Sequence, residues 1–182
     1  MNKIIGILGM QGAIAEHQEI LLQIPHTKTR IVKTAKDLDC IDGLILPGGE
    51  STAIGKLLDY FSLKEILQQK IISGLPVFGT CAGLILLAKN IENQTNTHLA
   101  TMDITVKRNG YGSQLDSFST NLLIPTIDKN MPIPLVFIRA PYITKTDKDV
   151  QILATLDNKI IAARQKNMLV SSFHPELTCD LR

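Results

Sequence analysis

Leu75-Pro76-Val77-Phe78-Gly79-Thr80-Cys81-Ala82-Gly83-Leu84-Ile85-Leu86-Leu87-Ala88-Lys89 carries three structural instructions in one run. Pro76 followed by Val77 and Phe78 opens a short buried strand. Gly79 to Gly83 is a turn of small residues with a cysteine at its apex. Leu84, Leu87 and Ala88, with Ile85 and Leu86 between them, predict a buried helix. Strand, Gly-x-Cys-x-Gly turn and helix together make a nucleophile elbow, with Cys where hydrolases often carry Ser. Such a turn pushes its apex side chain out above the sheet, at the start of the helix, where free N–H groups favour a thiolate. The same residues also fit a packed structural cysteine at a strand–helix turn.

Toward the N-terminus, Lys3 to Gly9 is apolar and β-branched without alternation, as in a strand covered on both faces. Gly9-Met10-Gln11-Gly12 is a turn. From Ala13 to Ile24, the residues Ala13, Ile14, Ile20, Leu21 and Ile24 share a helical face, and Pro25 ends it. Thr29 to Lys33 and Asp42 to Leu46 are further strands, the second running into Pro47-Gly48-Gly49-Glu50-Ser51. Helical patterns follow over Thr52 to Tyr60 and Leu63 to Ile72. This alternation predicts an α/β fold: a three-layer, doubly wound, mostly parallel sheet of the flavodoxin-like kind. Such sheets bind ligands at the carboxyl ends of their strands. Both Gly48-Gly49 and Cys81 fall there, so the two loops are expected to face one crevice.

Beyond the elbow the pattern shortens. Met102 to Lys107, Ser117 to Ile124, Leu135 to Arg139, Val150 to Leu156, Lys159 to Arg164 and Met168 to Phe173 read as short strands. Turns such as Asp157-Asn158 and Lys166-Asn167 separate them, which predicts an added antiparallel section. With no linker, repeat or low-complexity tract, residues 1–182 are expected to form one domain.

Composition excludes several classes of function. The net charge is +2, too small to make nucleic acid or an anionic membrane the main partner. No apolar run approaches the roughly 20 residues that span a bilayer. Met1-Asn2-Lys3-Ile4-Ile5 runs straight into a strand without a cleavage site, so no signal peptide is expected. Cys40, Cys81 and Cys179 are odd in number and unrelated in spacing, which fits a reduced cytoplasmic compartment. No Cys-x-x-Cys or His-x-x-x-His pair suggests a metal. No Gly-Lys-Ser/Thr follows Gly48-Gly49 to make a phosphate loop, and no cofactor is expected.

A nucleophilic cysteine needs a base, and there are four histidines. His17 is expected on a solvent or partner face of the first helix, and His26 and His98 in solvated loops. His174 instead follows a strand, in Phe173-His174-Pro175-Glu176. A residue before proline is biased to extended backbone, in which positions i and i+2 share a side, about 6.5–7 Å apart. Glu176 then reaches one imidazole nitrogen while the other faces outward, the geometry of a nucleophile–base–orienter triad. Alone, His-Pro-Glu fits a strand-end histidine capping a turn; with the elbow it points to catalysis. Acyl transfer also needs oxyanion donors, for which the Ala82 N–H and the Gly48-Gly49 backbone are candidates.

Gly79-Thr80-Cys81-Ala82-Gly83 and His174-Pro175-Glu176 resemble the class I (triad) glutamine amidotransferases. More narrowly, the chain is similar to the glutaminase-subunit family of pyridoxal 5′-phosphate synthase. The residues carrying that likeness are Gly6 to Ala13, Glu16-His17, Leu46 to Thr52, Asp116-Ser117-Phe118 and Phe137 to Pro141. The resemblance implies that Cys81 attacks the L-glutamine carboxamide, that His174 protonates departing ammonia, and that water releases glutamate from a thioester. It implies glutamine binding by Gly49, Glu50, Ser51, Arg108, Ile138 and Arg139. Ammonia would pass to a (β/α)₈-barrel synthase subunit, and the glutaminase is poorly active until docked. Other readings are a class I glutaminase of another pathway, a protease-like or chaperone-like cysteine hydrolase, or a non-catalytic binding module of the same fold. The sequence departs from the family at Gly110 and Ser113, and Gly110 is expected to loosen the backbone beside Arg108. It also stops at Arg182, where the family usually continues into a helix, so part of the core near His174 is expected to be uncovered.

Overall fold

The computed structural model describes residues 2–110 and 117–182. Its strands and helices are, in chain order, β1 (Lys3–Leu8), α1 (Ile14–Leu22), β2 (Thr27–Val32), β3 (Gly43–Leu46), α2 (Ser51–Tyr60), α3 (Lys64–Ile72), β4 (Val77–Thr80), α4 (Ala82–Leu87), β5 (Ala88–Ile91), β6 (Met102–Lys107), β7 (Ser117–Leu122), β8 (Ile133–Ile138), β9 (Tyr142–Thr146), β10 (Gln151–Leu156), β11 (Lys159–Gln165) and β12 (Met168–Ser171).

The main sheet runs β2-β1-β3-β4-β12-β11-β9-β6-β5, with β10 also paired to β11. Its first five strands are mutually parallel. From β12 through β11 and β9 to β6 the pairing is antiparallel. The expected doubly wound sheet with an antiparallel addition is therefore present, and its flavodoxin-like order is completed by the last strand of the chain, β12, beside β4.

Alternation across the strands builds the layers. Leu44, Leu46, Val77 and Val170 face a core that includes Ile54 and Leu58 of α2, Leu67 and Ile71 of α3, and Leu84 and Leu86 of α4. Ile5, Ile45, Phe78 and Leu169 face the other way, beside Leu21 of α1. That second face forms an apolar groove of about 950 Å³ reaching Gly43, Pro76 and Met168, at the amino ends of the strands. Phe173 and His174 are buried. Close to His174 in the chain, Leu177 and Leu181 are exposed.

A second core belongs to the two-stranded sheet of β7 and β8. Phe118 and Phe137 stack with centroids 4.6 Å apart, and Phe173 meets Phe137 edge-on at 6.0 Å. Pro134 is tolerated in β8 because the pair has only edges.

Two strands escape the sequence reading. Ala88, expected to extend the elbow helix, instead opens β5, because a continuous apolar run does not reveal where helix gives way to strand. β9 begins directly after Pro141 and is the second difference, although Tyr142-Ile143-Thr144 is rich in strand-forming residues.

Candidate active site

Register decides where the chemistry gathers. β3 pairs with β4 through Leu46 and Gly79, and β12 pairs with β4 through Ser171 and Thr80. All three strands run parallel, so their continuations leave at the same end. Pro47-Gly48-Gly49 follows β3, Cys81 follows β4, and His174 follows β12 by three residues. The Cys81 N–H donates to Ser171 O at 2.8 Å, locking the elbow to the histidine strand. The His174 N–H donates to Val136 O at 2.8 Å, so β8 holds the same segment from the other side.

The elbow is strained at its apex. Cys81 has φ 48° and ψ −97°, a left-handed backbone that L side chains avoid. Its neighbours are small for a steric reason: a Cβ on Gly83 would overlap Leu46 O, and one on Gly79 would stand 2.6 Å from the Gly83 backbone. α4 is under two turns long, so its dipole is a weak source of positive charge for the thiol. That charge comes from His174.

His174 is 7% exposed. Its Nδ1 lies 2.7 Å from Glu176 Oε1, and its ring stands beside Cys81. Burial alone would depress its pKa, but the Cys81 and Glu176 interactions outweigh burial and push it up to about 10. The resting histidine is therefore an imidazolium beside the cysteine sulfur. Glu176 occupies a 3₁₀ turn, Pro175–Leu177, and is itself buried. The contact expected from an extended segment is made instead by this 3₁₀ turn, which brings Glu176 back onto the ring.

His17 departs from expectation. It is 2% exposed rather than solvated, with Nε2 3.2 Å from Thr80 Oγ1 and 3.5 Å from Glu176 Oε2. Burial, foremost, lowers its pKa. The signal was present in the spacing: 14, 17, 21 and 24 fall on one helical stripe. His98 also differs, half-buried with its ring against Gly55 of α2.

Around Cys81 opens a crevice of about 620 Å³. Cys81, Ala82, Gly48, Gly49, Glu50, Ser51, Arg108, Ile138, Arg139 and His174 all line it, so every predicted binding and oxyanion position converges there. Ile138 O lies 4.0 Å from Cys81 Sγ, followed by Arg139 at φ 44°. Arg108 spans two partners, donating to Glu50 Oε1 at 2.9 Å and Thr52 Oγ1 at 3.1 Å. Glu50 also caps α2 by accepting from the Thr52 N–H. The Ser51 hydroxyl is buried with no hydrogen-bond partner among the described residues.

Sequence reasoning gave Gln11 no role. Its Oε1 accepts from the Glu50 N–H at 2.8 Å, and Gly48 O accepts from the Ala13 N–H at 3.0 Å, stitching the first loop to the glycine loop. A turn after the first parallel strand is where such a residue is to be sought. Gly110 is not loose: its N–H donates to Ala140 O at 2.9 Å, and a side chain there would overlap the Tyr142 ring. Ser113 and Asp116 lie outside the described residues.

Comparison with known proteins shows the family and the fold. Residues 7–182 match the SNO glutamine amidotransferase family. The chain is 55% identical over 178 residues to a pyridoxal 5′-phosphate synthase subunit PdxT of Carboxydothermus hydrogenoformans, covering 98% of this chain and 92% of that one. It is 53% identical over 179 residues to the PdxT of Ruminiclostridium cellulolyticum, covering 98% and 94%. A solved glutamine amidotransferase superposes with TM-score 0.88 at 38% identity, over 97% of this chain and 93% of that one. PurLQS from Thermotoga maritima shares the fold at TM-score 0.72 and 15% identity, over 99% and 91%.

Proposed function

This chain belongs to the SNO glutamine amidotransferase family, and from that premise we propose that Cys81, His174 and Glu176 are its glutaminase triad. The chain is the glutaminase subunit of a pyridoxal 5′-phosphate synthase, hydrolysing L-glutamine to glutamate and ammonia for vitamin B6 biosynthesis. The observation that carries the residue assignment is the 2.7 Å contact of His174 Nδ1 with Glu176 Oε1, on an imidazole that lines the same crevice as Cys81.

Cys81 thiolate attacks the side-chain carbonyl carbon of glutamine, and the C=O pair moves onto oxygen. The Ala82 N–H and the Gly48-Gly49 backbone receive that oxyanion. Tying the Gly48 carbonyl to Ala13 leaves the Gly49 N–H on the opposite side of its trans peptide plane. The tetrahedral adduct collapses as the His174 imidazolium gives its proton to the amine, which leaves as ammonia. His174, now neutral, takes a proton from water; the resulting hydroxide displaces Cys81 from the thioester, and thiolate and imidazolium are restored.

Free glutamine is a zwitterion at its α-carbon. The adjacent Arg108 and Glu50 offer one charge of each sign, suited to the α-carboxylate and the α-ammonium. Gly49, Ser51, Ile138 and Arg139 complete the pocket in this reading, with Gln11 supporting the Glu50 backbone. Residues 1–182 act as one amidotransferase domain, which delivers ammonia to a (β/α)₈-barrel synthase subunit. A cytoplasmic setting is consistent with three thiols outside any disulfide. No helix among the described residues is long and apolar enough to cross a membrane.

Glutamate release, measured with and without a synthase subunit, tests the assignment. Wild type is expected to release glutamate in the complex, and Cys81→Ala to release none. A Cys81→Ala chain that still turns over would sink it.

A further inference from the structure

Among the described residues, the triad leaves the buried ionisable side chain of His17 without a role. His17 Nε2 lies 3.5 Å from Glu176 Oε2 and 3.2 Å from Thr80 Oγ1, the residue just before the nucleophile. Glu176 Oε1 is taken by His174, whereas Oε2 is buried with no hydrogen-bond partner among the described residues. A carboxylate oxygen in that position is costly to bury unless a donor faces it.

We propose that His17 is a positioning residue of the glutaminase reaction, its neutral imidazole presenting Nε2–H to Glu176 Oε2 and so keeping Glu176 aligned on His174 while His174 loses and regains its proton. This rests on the glutaminase reading above.

Charge counting sets the state of His17. Glu176 as an anion and His174 as a cation already cancel. The charged groups around His17 are Glu176, His174 and Glu16; burial, foremost, together with the His174 charge, opposes a second cation despite the two carboxylates. A neutral imidazole carries one N–H and one lone pair. A lone pair on Nε2 would confront the carboxylate across 3.5 Å, so Glu176 selects the tautomer with hydrogen on Nε2. Thr80 Oγ1 is close enough to share that donor. The need is greatest in the middle of the cycle. Once His174 has passed its proton to ammonia, Glu176 is a buried anion without a cation, and His17 is the donor facing its second oxygen.

The test measures glutamate release by the full chain with its synthase subunit, as wild type, His17→Leu and His17→Gln, with thermal unfolding alongside. Leu fills the site without a donor; Gln brings an uncharged N–H to the same place. His17→Met, equally donor-free, repeats the comparison with a more adaptable side chain. The expected result is a kcat lowered roughly 10- to 100-fold in Leu and Met, the range for losing a hydrogen bond to a charged group. KM for glutamine stays unchanged, because His17 does not line the crevice. Gln recovers most of the lost kcat. Donor-free variants with wild-type kcat, or a Gln variant as slow as they are at equal stability, overturn the proposal. A wild-type complex that releases no glutamate overturns the glutaminase reading itself, and this inference with it.

Discussion

Gly48 lies against the edge of the His174 imidazole: a methyl group on its Cα would overlap Cε1, stand 2.9 Å from Nδ1 and sit 3.5 Å from Cys81 Cβ. The ring has no cheap way to yield, since turning it breaks the bond to Glu176. Gly48→Ala is therefore expected to displace the base and cost on the order of 10²-fold in kcat, the effect of an ångström-scale misplacement. The substitution sits in a loop at the crevice, so the unfolding midpoint is expected to move little. Steady-state glutamate release beside a thermal melt separates the two effects, and a variant of undiminished kcat would refute the close approach.

The two histidines that meet Glu176 are expected to tilt stability with pH in opposite directions. His174 is held at about 10, against roughly 6.5 in an unfolded chain. The stability it supplies is complete below about pH 6.5 and lost as pH rises through about 10. His17 is lowered by burial, so the unfolded chain binds a proton that the folded one refuses. Its effect is a loss of stability as pH falls through about 6.5. His17→Leu should flatten the acid side of the profile, and Glu176→Gln the alkaline side. His98, also lowered by burial, contributes to the acid side in both variants and cancels in the comparison. Urea midpoints at about pH 5, 7 and 9 read these slopes; identical slopes in both variants would contradict the assignment.

Strain at the elbow predicts that losing the nucleophile need not cost stability. Cys81 at φ 48° holds a backbone that glycine adopts freely. Cys81→Gly is expected to be inactive yet more stable than Cys81→Ala by about 1 kcal/mol, the order of one left-handed residue. Gly83→Ala should do the reverse, since its new methyl group meets Leu46 O and pushes α4 off β3. Overpacking of this kind costs about 1–3 kcal/mol. Chemical denaturation of the three variants gives the ranking.

The parts of the site legible in the sequence were those written in short-range geometry. A small-residue turn between a strand and a helix defined Cys81, and the proline between His174 and Glu176 fixed their return contact. What stayed hidden depended on which strands become neighbours. No local pattern says that β12, the last strand, inserts beside β4, yet that pairing brings His174 to Cys81. A histidine reads as polar, which hides that His17 is the buried residue of α1. β5 was lost inside an apolar run, where helix and strand have the same composition. Gly110 was read as looseness, although the missing side chain makes room for Tyr142, which lies more than thirty residues away.

Arg108 offers the sharpest separation of binding from chemistry. It donates to Glu50 and Thr52 at the wall of the crevice that Cys81 and His174 also line, and it makes no hydrogen bond to the triad. Replacing it should therefore raise KM for glutamine and leave kcat nearly intact, the pattern of an interaction made equally in ground and transition states. The Arg108–Glu50 pair is partly open to solvent, which screens it. An increase in KM of about tenfold is expected for Arg108→Met, rather than the hundredfold of a fully buried charge. Arg108→Lys keeps the charge but loses the fork that reaches two partners at once, and should fall between. Glu50→Gln retains an oxygen to cap α2, so its loss should appear in KM without a fall in stability. A matched fall in kcat for Arg108→Met, with KM unchanged, would move Arg108 from substrate binding into the chemical step.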